Sequence, residues 1–172
     1  PYIPEGHRQA GIYRRTFTIP ADWDGKRVYM KFCGVRTGFK LFVNGKFVGY
    51  SEDSFTPAEF DVTDFVERGQ SNTVAVEVYK YTTGSYYEMQ DMPHMMGIIR
   101  DVVLIARPQT HIRDYHAVAD LSDDLKEAGI DFTVQLRNMS DAPAKDLKLS
   151  AWLVNPDGSL FDEDPLFETD ID

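Results

Sequence analysis

The chain has 172 residues, which is enough for one large domain or two small ones. Hydrophobic residues make up 42% of it and aromatic residues 13%, so it can bury a packed core and lacks the composition of a disordered segment. A net charge of −10 opposes broad binding to nucleic acids or to anionic membranes, because both attract lysine and arginine. We therefore expect a folded chain whose partner is neither nucleic acid nor membrane.

The one cysteine, Cys33, excludes an internal disulfide. It ends a strand-like run, and we interpret it as a small apolar residue of the core. No apolar run approaches the ~18 residues of a membrane span, and no signal peptide is visible. The chain opens abruptly at Pro1, so we expect its true start to be missing. The compartment, bacterial cytoplasm or periplasm, is therefore left open.

Residues 38–50 carry the strongest local signal in the chain. Two runs of aromatic and β-branched residues flank the dipeptide Asn44-Gly45. Asn-Gly tolerates positive φ at both central positions of a type I′ turn, whose twist matches two paired strands. The stretch therefore predicts a β-hairpin and, with it, an antiparallel β protein.

Further short strands are predicted on both sides of this hairpin. The runs rich in aromatic and β-branched residues are 13–19, 27–33, 73–79 and 98–106. Residues 60–66 fit either a helical turn or a strand. Residues 82–96 contain glycine and proline and show no regular hydrophobic periodicity. They therefore predict a long loop of the kind that often carries function. Closely spaced strands of this type predict a β-sandwich or jelly roll.

The composition changes after Pro108. Alternating runs at 112–120, 130–137 and 147–154 predict three strands, whereas the acidic tail 161–172 shows no strand signal. An immunoglobulin-like sandwich needs about seven strands. We therefore predict an all-β chain with a jelly-roll domain at residues 1–108, lacking its N-terminal part, and a partial immunoglobulin-like domain at residues 109–172.

The long loop holds the main candidates for chemistry, namely Glu88, Asp91 and His94. A solvated polar loop, a sugar or cation contact, and a catalytic carboxylate pair all fit these residues, and spacing within a loop does not decide among them. Glu52 and Asp53, which follow the hairpin, are expected to accept backbone N–H groups at a turn. Arg100 is expected to form an ion pair at the edge of the sandwich.

Several segments, taken in chain order, together resemble the N-terminal sugar-binding domain of glycoside hydrolase family 2. Within this family they look most like the large bacterial β-galactosidases. These segments are residues 13–17, 42–54, 57–63, 84–92 and 97–102. The resemblance is strong from about residue 12 to residue 108. The remainder resembles, with weaker motifs, the immunoglobulin-like domain that follows in the same family.

This resemblance implies a function for a larger protein. The family is a retaining glycosidase whose two catalytic glutamates lie in a TIM barrel, which this chain lacks, so the chain alone is expected to be inactive and to hold no catalytic residue. By the resemblance, Asp91 contacts the sugar hydroxyls and a sodium ion. The implied partners are a β-galactoside or related glycan and the barrel of the same polypeptide. The parent enzyme is implied to use sodium and magnesium and to form a homo-oligomer.

The sequence departs from the family pattern around this loop. Met89 replaces an aspartate, Pro93 and His94 replace Trp-Arg, and Met96 replaces a serine. Thr83 replaces an acidic residue, which puts a second metal site in doubt. Another β-galactoside, a glucuronide, or a plant or host glycan therefore stays open as the substrate. A stand-alone carbohydrate-binding module and a purely structural scaffold stay open as alternative functions.

Overall fold

The computed structural model describes residue 6, residues 9–88 and residues 95–171. This part of the chain is built mainly from β-strands, together with the 3-10 turn Ala21–Trp23 and the four-residue helix α1, Ser85–Glu88. No helix in it is long and apolar enough to cross a membrane. The predicted all-β fold is confirmed.

The chain forms two compact units, Pro1–Pro108 and Gln109–Asp172. The strands of the first unit are β1 (Ala10–Thr18), β2 (Arg27–Phe32), β3 (Val35–Arg36), β4 (Gly38–Val43), β5 (Lys46–Glu52), β6 (Ala58–Asp61), β7 (Ser71–Tyr79), β8 (Gly97–Ile98) and β9 (Val102–Arg107). A four-stranded sheet has the order β1-β7-β4-β5, and a three-stranded sheet has the order β6-β2-β9. The short strands β3 and β8 pair with each other, and every pairing is antiparallel.

The core of the first unit lies between these two sheets. Phe32 of β2 packs on Phe39 of β4 with ring centroids 4.6 Å apart, and Phe60 of β6 lies edge-on to both rings at 6.2 and 5.8 Å. The three rings therefore join the four-stranded sheet to the three-stranded one. Leu41 and Val78 are fully buried beside them, because alternate residues of β4 and β7 point to the covered face.

The central hairpin folds as predicted. Strands β4 and β5 meet at Asn44 and Gly45, whose φ angles of 50° and 77° are those a type I′ turn requires. The Asn44 amide also donates to the carbonyl of Phe65 at 2.9 Å and to the side chain of Asn72 at 2.7 Å. The turn is thus hydrogen-bonded to Phe65, which precedes β7, and to Asn72 of β7, as well as to its own strands.

Strand β6 lies at a sheet edge and is fixed by two ion pairs. Arg107 binds Glu59 through both terminal nitrogens, at 2.6 and 2.8 Å. Arg27 binds Asp61 through Nε at 3.1 Å and Nη2 at 2.6 Å. Charge-assisted, two-point bonds of this kind are stronger than neutral ones, so both ends of the short strand are held to its neighbours.

Some predicted boundaries are wrong. Residues 82–96 were expected to be an irregular loop, but Ser85–Glu88 forms helix α1. Four residues are too few for a periodic hydrophobic pattern, so the sequence carries no helical signal there. Residues 60–66 resolve into the end of β6 followed by turns, and β1 starts at Ala10, before its first aromatic residue.

The second unit contains two antiparallel strand pairs. Its strands are β10 (Thr110–Leu121), β11 (Ala128–Asn138), β12 (Leu147–Ala151) and β13 (Phe167–Ile171). Strand β10 pairs with β11, and β12 with β13. The expectation that the tail has no strand is wrong, because β13 lies within it. Its acidic residues face solvent and dilute the apolar pattern, while Phe167 packs on Phe132 with ring centroids 5.2 Å apart.

Candidate functional site

The loop that carries the predicted site begins around helix α1 and ends at strand β8. Asp91 and His94 lie outside the residues that the structure describes, as do Met89 and Pro93. The contact of Asp91 with sugar and sodium therefore stays a prediction. Glu88, the third candidate, is described, and its surroundings show how the base of the loop is built.

Glu88 is bonded to the turn that follows the hairpin. Its Oε1 accepts the backbone N–H of Ser54 at 2.9 Å, and its Oε2 accepts the Ser54 hydroxyl. Ser54 is fully buried. Both oxygens of the carboxylate thus fasten α1 to the turn. Glu88 is therefore hydrogen-bonded to the protein, in contrast to the solvated residue expected of a polar surface loop.

A second carboxylate fastens the other end of α1. Oε2 of Glu52, at the end of β5, accepts the backbone N–H of Gly84 at 3.0 Å, and its Oε1 accepts the Tyr50 hydroxyl. Burial first, and then the hydrogen bond to Glu52, raise the pKa of the Tyr50 phenol. The prediction that Glu52 accepts a backbone N–H is confirmed, although its donor lies far along the chain.

The turn between these two contacts is held by hydrogen bonds of its own. The Asp53 carboxylate accepts the N–H groups of Phe55 at 3.0 Å and Thr56 at 3.1 Å, together with the Thr56 hydroxyl. The Thr56 hydroxyl first, and then the two N–H groups, lower the pKa of Asp53. The three carboxylates from β5, the turn and α1 therefore form one scaffold, which holds the start of the loop.

Sequence reasoning missed Arg36, which lies beside this scaffold. Arg36 is 2% exposed, and its guanidinium carbon lies 5.6 Å from the ring centroid of Phe55. Strand β3 places it opposite Gly97 of β8, where the loop returns. The available signal was a cation within a run that is otherwise apolar or small, 34–39. The peptide bond between Arg36 and Thr37 is cis.

Arg100 reaches the same aromatic residue from outside. Its Nη1 donates to the backbone carbonyl of Phe55 at 3.0 Å. Among the described residues this bond replaces the expected ion pair, and the strand starts at Val102 instead of at Arg100. Phe55, 40% exposed, thus has one guanidinium on its ring and another on its carbonyl.

A separate apolar cavity of about 590 Å³ lies between the edges of the two sheets. Its lining includes Phe17, Phe32, Val76 and Leu104. A site for a small polar ligand needs a few convergent polar groups to orient that ligand. The mainly apolar lining makes this cavity a poorer candidate for sugar binding than the base of the loop.

The described residues contain no group of three or more His, Cys, Asp or Glu that could hold a metal ion. The carboxylates of Glu52, Asp53 and Glu88 instead accept hydrogen bonds from N–H and hydroxyl donors. Within this part of the chain, the acidic residues organise the backbone and do not form a metal cage.

Comparison with known proteins places the chain in a family. Residues 1–108 match the family model described as "Glycosyl hydrolases family 2, sugar binding domain". The beta-galactosidase of Priestia megaterium is 39% identical over 166 residues, which are 96% of this chain and 16% of that protein. The beta-galactosidase of Halalkalibacterium halodurans is 40% identical over 160 residues, 93% of this chain and 15% of that protein.

The chain also matches solved structures. The crystal structure of Bacteroides uniformis beta-glucuronidase matches with a TM-score of 0.82 and 27% identity, over 96% of this chain and 20% of that one. The chain thus spans a small part of each of these relatives, 16% of the first. On the match of residues 1–108 and the identity to the two beta-galactosidases, the chain belongs to glycosyl hydrolase family 2 and contains its sugar-binding domain.

Proposed function

We propose that this chain is the non-catalytic N-terminal part of a retaining glycoside hydrolase of β-galactosidase type. In this proposal, the loop at residues 84–96 forms part of the sugar subsite in an active site that a TIM barrel of the same polypeptide completes. The observation that carries the proposal is the pair of carboxylates, Glu52 and Glu88, that fasten the start of this loop to the hairpin. A loop that positions a ligand needs such support from rigid elements.

The support acts at both ends of α1. Glu52 binds the N–H of Gly84 before the helix, and Glu88 is the last residue of the helix itself. The backbone at the start of the loop is therefore held at both ends of α1. A misplacement of a catalytic or binding group by about 1 Å can cost about 100-fold in rate, so a fixed departure point suits a loop that reaches a reacting sugar.

Asp91 is the residue that we assign to the sugar. An ionised carboxylate accepts hydrogen bonds at two oxygens and can therefore bind two neighbouring sugar hydroxyls. The same oxygens suit a hard cation such as sodium. The sodium contact, and any magnesium in the parent enzyme, belong to the proposal, and the bonds of Glu52 and Glu88 to the loop base involve only N–H and hydroxyl donors.

The bond cleavage itself is assigned to residues outside this chain. A retaining glycosidase needs two carboxyl groups about 5–5.5 Å apart, one as nucleophile and one as acid and base. Glu52 and Glu88 are both engaged with backbone and hydroxyl donors, so neither serves this purpose. The chain contributes binding energy, which accelerates the reaction where the contacts to the sugar strengthen in the transition state.

The test replaces Asp91 in the full-length polypeptide. Asp91→Asn keeps the shape of the side chain but removes its charge and one acceptor. We expect kcat/KM for a nitrophenyl β-galactoside to fall by about 100-fold, since a hydrogen bond to a charged group contributes up to about 3 kcal/mol. Asp123→Asn, an exposed aspartate of the second unit, serves as the control and should leave kcat/KM unchanged. An unchanged kcat/KM for Asp91→Asn would refute the assignment.

A further inference from the structure

Arg36 is the most unusual charged residue in the first unit. It is 2% exposed, and its Nε and Nη2 atoms are buried without a hydrogen-bond partner among the residues that the structure describes. Buried cations are normally paired, because removal from water is costly unless an anion and hydrogen bonds compensate. An unpaired guanidinium in such a place therefore points to an acceptor from elsewhere.

The two unpartnered atoms form one edge of the guanidinium. Nε and Nη2 present two parallel N–H groups that match the two oxygens of a carboxylate or sulfate. Arg27 uses these same two nitrogens for its carboxylate partner, Asp61, at 3.1 and 2.6 Å. Arg27 is 19% exposed at its side chain, so the more deeply buried Arg36 has the greater need for an anion.

The nearby carboxylates do not meet this need. Asp53 bonds to Phe55 and Thr56, and Glu88 bonds to Ser54. The group on the ring of Phe55 is the guanidinium of Arg36 itself, and a second cation, Arg100, binds the carbonyl of the same residue. None of these hydrogen bonds reaches Arg36, so its Nε and Nη2 remain without an acceptor in this part of the chain.

We propose that Arg36 is an oxyanion-binding residue, whose Nε and Nη2 form a two-point hydrogen bond to a carboxylate or sulfate group. Two sources share this chemistry: an acidic sugar of the substrate, such as a uronate, or a carboxylate from another part of the parent polypeptide. The inference rests on the proposed function in that it places Arg36 beside the sugar-binding loop, opposite Gly97. It adds a substrate class, acidic glycans, to the β-galactosides of the proposed function.

The experiment compares Arg36→Met and Arg36→Lys with the wild type in the full-length polypeptide. Methionine fills a similar volume without charge, and lysine keeps the charge without the two-point edge. Each protein is assayed for its melting temperature and for kcat/KM on a nitrophenyl β-galactoside, β-galacturonide and β-glucuronide. Arg100→Met, at the exposed arginine that binds the same Phe55, is the matched control.

The two sources give different results. If the anion belongs to the substrate, Arg36→Met loses about 100-fold or more on a uronide, changes less than about 3-fold on the galactoside, and does not lower the melting temperature. If the anion belongs to the polypeptide, Arg36→Met lowers the melting temperature by several degrees and all substrates fall together. In either case Arg36→Lys is intermediate, and Arg100→Met changes neither the substrate ratio nor the melting temperature.

One combination of results overturns the inference. An unchanged or higher melting temperature together with an unchanged ratio between uronide and galactoside would show that Arg36 binds no anion. If Arg36→Met does not fold, Arg36→Lys decides by the same two readouts. Failure of the Asp91→Asn test would remove the proposed function but leave the melting-temperature readout at Arg36 valid, so the two ideas fail separately.

Discussion

Single residues of the first unit combine several contacts, and Asp61 is the clearest example. Its Oδ1 accepts the N–H and hydroxyl of Thr63, at 3.0 and 2.6 Å, and its Oδ2 accepts two nitrogens of Arg27. Burial works against ionisation, but the bonds from Thr63 and Arg27 outweigh it and lower the pKa of Asp61 below its usual 3.8. The charged form is therefore favoured by folding.

This pKa gives a prediction with a definite sign. In the unfolded chain Asp61 takes up a proton near its usual pKa of 3.8, whereas in the folded chain it resists protonation to lower pH. The stability that it contributes is thus present above about pH 4 and is lost as the pH falls through the lowered folded pKa. Asp61→Asn should destabilise the region around β2 and β6 by about 1–3 kcal/mol near pH 7.

The difference between wild type and Asp61→Asn should shrink below about pH 4. Amide hydrogen exchange at Val28 and Val62, corrected for the intrinsic effect of pH, measures this in the full-length polypeptide. These two amides lie at the β2 end where Thr63 and Asp61 bind. A difference that stays constant from neutral to acidic pH would contradict the account of Asp61.

At the scale of elements, helix α1 shows how a long loop is given a fixed base. The helix has four residues, too few to be stable by itself. Glu52 and Ser54 supply the contacts that hold it, and both lie at the end of the central hairpin. The hairpin is therefore the rigid support from which the loop departs.

Removing one of these contacts should loosen the loop. Glu88→Ala leaves the buried Ser54 hydroxyl and N–H without their acceptor, at a cost of about 1–3 kcal/mol. We expect faster amide exchange across residues 82–88 and a fall of about 10-fold in kcat/KM for a β-galactoside, through misplacement of the loop. Glu88→Gln, which can still bond Ser54, is the control and should keep most of both properties. Unchanged exchange in Glu88→Ala would show that the contact does not hold the helix.

The elements also show what could be predicted from the sequence. The hairpin could, because Asn44 and Gly45 determine its turn locally. The contacts that build the loop base could not, since Glu52 and Gly84 lie 32 residues apart and Ser54 and Glu88 lie 34 apart. Such pairs depend on the strand order of the four-stranded sheet, which brings the end of β5 near the segment that follows β7.

Strand β13 and Arg36 were missed for different physical reasons. The tail strand presents acidic residues to solvent, so its pattern resembles that of a loop, and only its pairing with β12 makes it a strand. Arg36 is a charged residue in a buried place, where the usual preference of arginine for the surface misleads. Mismatches of this kind are expected at functional sites.

At the scale of the whole molecule, we propose that sugar positioning and bond cleavage belong to different parts of the parent polypeptide. The chain spans 16% of the Priestia megaterium beta-galactosidase and 20% of the Bacteroides uniformis beta-glucuronidase. We assign the bond cleavage to a barrel elsewhere in the parent polypeptide and sugar positioning to the loop that starts at α1. A sandwich that served only as a scaffold would carry this loop without any contact to the substrate.

The most direct measurement is a structure of the full-length polypeptide with a bound β-galactoside that it does not hydrolyse. The account predicts that an Asp91 carboxylate oxygen lies within about 3 Å of a sugar hydroxyl, the range of a charge-assisted hydrogen bond. It also predicts that the sugar lies between this loop and two carboxylates of the barrel. A structure in which the sugar binds in the barrel and residues 84–96 face away from it would contradict the account.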